Sequence, residues 1–222
     1  MKTIKVEGYI VSTEDQEIYD YFGYPATSPG RMADQLKEAA GEDIEIVINS
    51  YGGDVWAAAD MYAQLQKYEG ETKASITGLA ASAATILMCG CDSVEAWPAA
   101  EIMVHLSHSY QDGNYRDMLE AAESLKTSDA GLVAIYTAKT GQAPEVIQNL
   151  IEKTTWMTPN EALELGFIDT IVDPAERGSL PVAASQIGLP DIDKLRTAYN
   201  AAKENEKWQS IANINIEAER FK

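Results

Sequence analysis

Ile44-Glu45-Ile46-Val47-Ile48-Asn49-Ser50-Tyr51-Gly52-Gly53-Asp54 reads as a strand that stops at a double glycine and hands over to a helix. The apolar run from Ile44 to Asn49 suits the middle of a sheet. Gly52-Gly53 marks a tight turn, and Asp54 can cap a helix from Val55 to Tyr68 with Tyr62 and Leu65 on its inner face. The same device returns 29 residues after Gly53. Lys73 to Thr77 is the next strand, Gly78-Leu79-Ala80-Ala81-Ser82-Ala83-Ala84 closes it, and Ser82 begins another helix. Such turns expose backbone N–H groups and one hydroxyl at the carboxyl edge of a sheet, a layout for acyl-transfer chemistry.

Outward from this pair, Lys5 to Val11 reads as a strand, Arg31 to Ala40 as a helix, and Ser93 to Trp97 and Ile102 to His105 as further strands. The order β-α-β-α-β predicts the α/β fold class, with right-handed crossovers and a largely parallel sheet. Beyond His105, Tyr110 to Asn114 is a turn-rich link, and Tyr115 to Thr140 is one long helix ending at Gly141. Its apolar stripe is Met118, Leu119, Ala122, Leu125, Leu132, Ile135 and Tyr136. A helix that long in a small domain projects and packs against another chain. A helix from Pro144 to Ile151, a short one after Thr158-Pro159 and a closing strand from Phe167 to Val172 complete a domain over residues 1–173. Residues 174–222 are expected to be a Gly-, Pro-, Ala- and Ser-rich linker to Pro190 and a tail that is weakly helical from Ile192 to Lys207.

Composition bounds the partners. The 222 residues, 45% of them hydrophobic, suffice for one core and an appendage. Residues 174–222 carry seven charges of each sign, so the whole net charge of −18 lies in residues 1–173. That balance argues against nucleic acid and anionic membrane as partners and for substrates with basic patches. The longest nearly apolar stretch, Leu79 to Cys91, is too short for a membrane span, so a soluble, cytoplasmic protein is expected. The two cysteines, Cys89 and Cys91, are one residue apart, which suits buried reduced thiols better than a disulfide or a metal site. No metal or cofactor is expected.

A serine nucleophile needs a base, a pair of donors for the oxyanion and a group that orients the base. Ser82 at a strand-to-helix junction supplies the hydroxyl, the Ala83 N–H and the Gly52-Gly53 turn the donors, and His105 at the end of a neighbouring strand the base. Each has a plainer reading alone: a small packing residue, a strand-end histidine, a turn. Their placement on successive strand ends is what joins them. His108, past the strand in a polar loop, reads as a solvated or substrate-edge residue.

Several of these segments, in this order and spacing, resemble the Clp protease proteolytic subunit family. They are Asn49-Ser50-Tyr51-Gly52-Gly53, Gly78-Leu79-Ala80-Ala81-Ser82, Ile102-Met103-Val104-His105, the long helix, and Trp156-Met157-Thr158-Pro159-Asn160-Glu161-Ala162 with Leu165-Gly166-Phe167-Ile168-Asp169. Tyr21-Phe22-Gly23 and Ala26-Thr27-Ser28-Pro29 look like the branch carried by tailed phages and prophages, head maturation proteases that cut scaffold and capsid proteins. The resemblance implies a ClpP/crotonase-like spiral of repeated β-β-α and βαβ units with a projecting handle helix. It implies Ser82 as nucleophile, His105 as general base, and Gly53 and Ala83 as oxyanion donors. It further implies homo-oligomeric stacked rings of six or seven subunits, and peptide or protein substrates laid as an added strand beside Gly52-Gly53.

Two positions depart from the pattern. The family's third catalytic residue, an aspartate, falls at Thr154, with Glu152 in reserve as a nearby carboxylate. A threonine accepts a hydrogen bond but carries no charge to stabilise imidazolium. Tyr51 stands where the family has proline, which loosens the turn without removing its glycines. No Gly-Lys-Ser/Thr phosphate loop or unfoldase-docking site is evident, so an ATP-independent endopeptidase acting in the host cytoplasm or the prohead is expected. The alternatives are a catalytically impaired ring-forming scaffold subunit and a crotonase-type acyl-CoA enzyme.

Overall fold

In the chain's computed structural model, which describes residues 1–173 and 192–204, β3 (Ile44–Gly53) lies between β1 (Lys2–Ile10) and β4 (Thr72–Ala81), parallel to both. Ile44, Ile46 and Ile48 are fully buried, while Val47 is half-buried and Asn49 exposed. The apolar run therefore alternates instead of burying both faces. Helices α2 (Pro29–Ala39), α3 (Val55–Gln66) and α4 (Ala83–Met88) pack side by side over the closed face, where Met32, Met61, Leu65, Ile86 and Leu87 meet the isoleucines. Burial of each such side chain contributes about 1.5–3 kcal/mol.

The sheet runs β2-β1-β3-β4-β5-β8, where β2 is Ala26–Thr27, β5 Ser93–Ala96 and β8 Thr170–Ile171. β4 divides its partners: Lys73–Ile76 pair with β5, whereas Leu79–Ala81 pair with β6 (Glu101–Val104). This fork sets the end of β4 beside the end of β6. β7 (Thr155–Met157) runs antiparallel to β6, and the other pairings are parallel. Ser75 Oγ donates to Glu95 Oε1 at 2.9 Å, and Lys73 Nζ lies 2.6 Å from Glu95 Oε2, so the buried carboxylate is paired and the β4–β5 register fixed.

The long helix α5 (Tyr115–Thr140) has the expected bounds. Asn114 caps it, with its side chain accepting from Arg116 N and its own N–H donating to Asp117 Oδ2 at 2.8 Å each, and Gly141 ends it at φ 69°. Only part of its stripe is buried: Leu132 and Tyr136 are, whereas Met118 and Leu119 are exposed, as is Tyr115 beside them. α6 (Pro144–Glu152) and α7 (Pro159–Leu165) follow.

Several boundaries differ from expectation. β1 starts at Lys2 and stops at Ile10, and β4 runs on to Ala81 because its second half finds β6 as partner. The closing strand shrinks to Thr170–Ile171, while Phe167 and Ile168 are buried after the α7 cap without pairing. The helix α1 (Gln16–Tyr21), β2 and β7 are too short for periodicity to reveal. The expected linker over residues 174–190 lies outside the described residues, and residues 192–204 are helical. That helix forms a second unit with Glu17–Tyr24, in which Tyr199 Oη donates to Glu17 Oε2 at 2.9 Å and the Tyr199 ring meets Tyr21 edge-on at 5.4 Å. Among the described residues no helix is long and apolar enough to cross a membrane.

Candidate active site

Ser82 sits between β4 and α4 at φ 56°, ψ −125°, a region that non-glycine residues avoid. The neighbours hold it there: its N–H donates to Met103 O at 2.8 Å, and its carbonyl accepts from Thr85 N at 2.9 Å and from Thr85 Oγ1 at 2.6 Å. A serine that merely caps a helix spends its hydroxyl on the first-turn N–H groups. Ser82 makes no such bond, and its Oγ lies 2.7 Å from His105 Nε2. With the ring proton on Nδ1, Nε2 is the acceptor and Ser82 the donor.

The double-glycine turn closes on the same point. A methyl group on Gly52 would stand 2.8 Å from Ala83 N and 2.9 Å from Ser82 Cβ, and one on Gly53 would strike the Ile10 carbonyl. Both glycines have positive φ, 86° and 149°. Only residues without a Cβ allow this approach. The turn persists without proline because Ser50 Oγ donates to Gly8 O at 2.7 Å and accepts from Gly52 N at 3.1 Å, and Tyr51 stacks on Tyr9 with centroids 5.9 Å apart. Ala83 opens α4, so its N–H has no partner within the helix. The structure thus brings Ser82, His105, Gly52, Gly53 and Ala83 into one cluster.

His105 is half-buried, and burial holds its pKa below the ordinary histidine value. The His108 ring, 4.6 Å away centroid to centroid, pushes the same way. The Asp129 carboxylate and a hydrogen bond to the Leu106 backbone oppose both. The net effect keeps the imidazole neutral and able to accept a proton at neutral pH.

Thr154 precedes β7, one step beyond the Val104–Thr155 pair and so opposite His105 in register. Its N–H donates to Ile151 O at 3.2 Å, and among the described residues no hydrogen bond joins it to His105. Its φ of 52° is unusual for a β-branched residue. Glu152 is exposed and accepts from Gln148 Nε2 at 2.9 Å, a solvated helix-end contact. Cys89 and Cys91 are buried free thiols, each pushed up to about 12 mainly by burial, which leaves them inert as nucleophiles.

Two further groups stand near the pair: His108, which the sequence offers as a solvated or substrate-edge residue, and Asp129, which it does not single out. His108 is exposed in its loop, yet its ring lies against that of His105. Asp129 on α5 accepts from Ser107 N at 2.7 Å, and Ser128 Oγ and Ser107 Oγ are 2.8 Å apart, so the long helix grips the segment that follows the histidine. In sequence Asp129 is one more acid on a charged helix.

Chemically, an activated hydroxyl beside candidate N–H donors is equipped for acyl transfer. Comparison with known proteins agrees. The family profile described as Clp protease matches residues 33–175. The chain is 36% identical over 164 residues to the ATP-dependent Clp protease proteolytic subunit 1 of Chlamydia muridarum, covering 68% of this chain and 84% of that one. It is 32% identical over 184 residues to the subunit of the same name from Chlamydia abortus, covering 76% and 95%. Among solved structures, a ClpP1 point mutant from Listeria monocytogenes superposes with a TM-score of 0.64 at 19% identity, over 78% of this chain and 91% of that one, a likeness of fold.

Proposed function

Because the chain belongs to the Clp protease family, we propose that it is a serine endopeptidase with Ser82 as nucleophile, His105 as general base and the Gly53 and Ala83 N–H groups as oxyanion donors. The observation that carries this reading is the 2.7 Å contact between Ser82 Oγ and His105 Nε2, made by a serine held in a strained turn. His105 takes the hydroxyl proton as Oγ attacks the scissile carbonyl, and returns it to the leaving amine. Water, activated by the same imidazole, then releases the acyl group from Ser82. The third position is Thr154, and a neutral residue there lowers the rate without removing the nucleophile.

Members of this family form stacked rings, and a homo-oligomer of six- or seven-membered rings fits the exposed Tyr115, Met118 and Leu119 on α5. Cleavage of phage scaffold and capsid proteins, in the host cytoplasm or the prohead, is the narrower reading, supported by the N-terminal motifs around Tyr21-Phe22-Gly23 and Ala26-Thr27-Ser28-Pro29. Relatives carry "ATP-dependent" in their names, whereas peptide-bond hydrolysis itself needs no nucleotide. Cleavage of an unstructured polypeptide with and without ATP, beside Ser82→Ala, tests the proposal. Equal cleavage in both conditions, lost in the variant, is the expected result, and a strict nucleotide requirement refutes ATP independence. A ring-forming scaffold subunit without activity is the second reading, favoured by the uncharged Thr154. The acyl-CoA alternative has no comparable support, since the family match is to proteases.

A further inference from the structure

A serine–histidine pair works best when a carboxylate stabilises the imidazolium that forms as the proton moves. The two candidates from sequence do not supply one: Thr154 is neutral, and Glu152 is exposed against Gln148. The groups around His105 come from several elements. Ser82 reaches Nε2 from the β4–α4 turn, His108 packs on the ring from the loop after β6, and Thr154, just before β7, lies opposite it in register. From α5 comes Asp129, whose Oδ1 is 2.7 Å from the N–H of Ser107, two residues past the histidine. Asp129 and Ser128 are both half-buried, and together they clasp Ser107 by its N–H and its hydroxyl.

We propose that Asp129, reaching from the long helix to Ser107, is the positioning carboxylate of the Ser82–His105 pair, fixing the segment that carries the histidine and stabilising its protonated form. This rests on the serine protease reading. The carboxylate does not bond the ring; it accepts from Ser107 and acts on the imidazole through its field. Its negative charge raises the proton affinity of His105, against burial and His108, which lower it. The same helix that offers an exposed apolar first half therefore carries a charge into the site in its second half. Displacement of α5 would weaken the base, which ties the activity of the pair to the seating of that helix.

Asp129→Asn separates charge from position, because the amide oxygen can still accept the Ser107 N–H. Two readouts are taken on the full-length protein in its assembled state. One is the pH dependence of Ser82 labelling by a fluorophosphonate. The other is the histidine C2-hydrogen exchange midpoint by mass spectrometry, tractable because the chain has only two histidines. Expected are a plateau labelling rate about tenfold lower and a His105 midpoint shifted down by about half a unit to one unit. Asp129→Glu, which keeps the charge, restores the parent midpoint, and Asp129→Ser serves as second charge-free variant if the Asn protein fails to assemble. An unmoved His105 midpoint in the charge-free variants overturns the proposal, including the case where labelling slows, since slower labelling alone marks a structural role for the Ser107 contact. If the parent protein is not labelled, the protease reading falls, and the exchange midpoint still decides whether Asp129 is coupled to His105.

Discussion

Tyr136 Oη lies 2.6 Å from Thr85 Oγ1, and the same Thr85 hydroxyl donates to the Ser82 carbonyl at 2.6 Å. Since threonine has a single hydroxyl proton, Tyr136 is the donor of the first bond. A continuous run of hydrogen bonds thus links the buried half of the long helix to the backbone of the candidate nucleophile. Burial keeps the phenol protonated, raising its pKa well above the ordinary tyrosine value against the smaller opposing effect of the Thr85 contact.

Tyr136→Phe removes that donor and leaves the ring packed against Phe167, whose centroid is 5.5 Å away. A loss of about 1 kcal/mol in stability is expected, with a several-fold slower labelling of Ser82 as its turn relaxes. Denaturant titration and fluorophosphonate kinetics measure the two effects. Full retention of both shows that the bond is not coupled to the serine.

His108 lowers the proton affinity of His105, so its removal acts opposite to the loss of Asp129. The base form of His105 is needed for activity and is lost as pH falls through its pKa. In His108→Ala that pKa rises, and the acidic limb of the pH–rate profile moves to higher pH. An unmoved or acid-shifted limb contradicts this.

Thr154 occupies left-handed backbone at φ 52°, where Asn and Asp are several-fold more common than β-branched residues. Thr154→Asn is expected to stabilise the fold by about 1 kcal/mol through relief of that strain. Thr154→Asp adds a charge opposite His105 in register and should also quicken Ser82 labelling. Thermal unfolding reads the first effect and labelling rate the second; a destabilised Asn variant sinks the strain argument.

Gly52→Ala places a methyl against Ala83 N and Ser82 Cβ at a φ of 86°. A fall in labelling of about 100-fold is expected, the scale of losing one oxyanion donor, with the far side of the sheet intact by circular dichroism. Activity near that of the parent shows that the turn does not contribute to the site.

Much of this was legible because the residues concerned combine a local signal with a fixed place in the fold. Ile44 to Gly53 announces a strand and turn, and Asp54 caps α3 as expected, accepting from Ala57 N at 2.8 Å. Ser82 and His105 were readable as a pair because each ends a strand, although their adjacency depends on the fork of β4 between β5 and β6, which no local pattern encodes. Asp129 was not legible as part of a site, and His108 only as a solvated or substrate-edge residue, since their contacts arise from tertiary approach of a helix and a loop to one ring. Thr155–Met157 escaped notice as a strand because three residues carry too little periodicity, and it is the register of that strand with β6 that sets Thr154 opposite His105.

The most direct test of a Ser82–His105 hydrolase is active-site labelling of the assembled protein with a fluorophosphonate, followed by peptide mapping of the adduct. Labelling at Ser82 is expected, absent in Ser82→Ala and reduced by about 1000-fold or more in His105→Ala. No adduct at Ser82 in any assembly state, or an adduct whose rate is indifferent to His105, contradicts it.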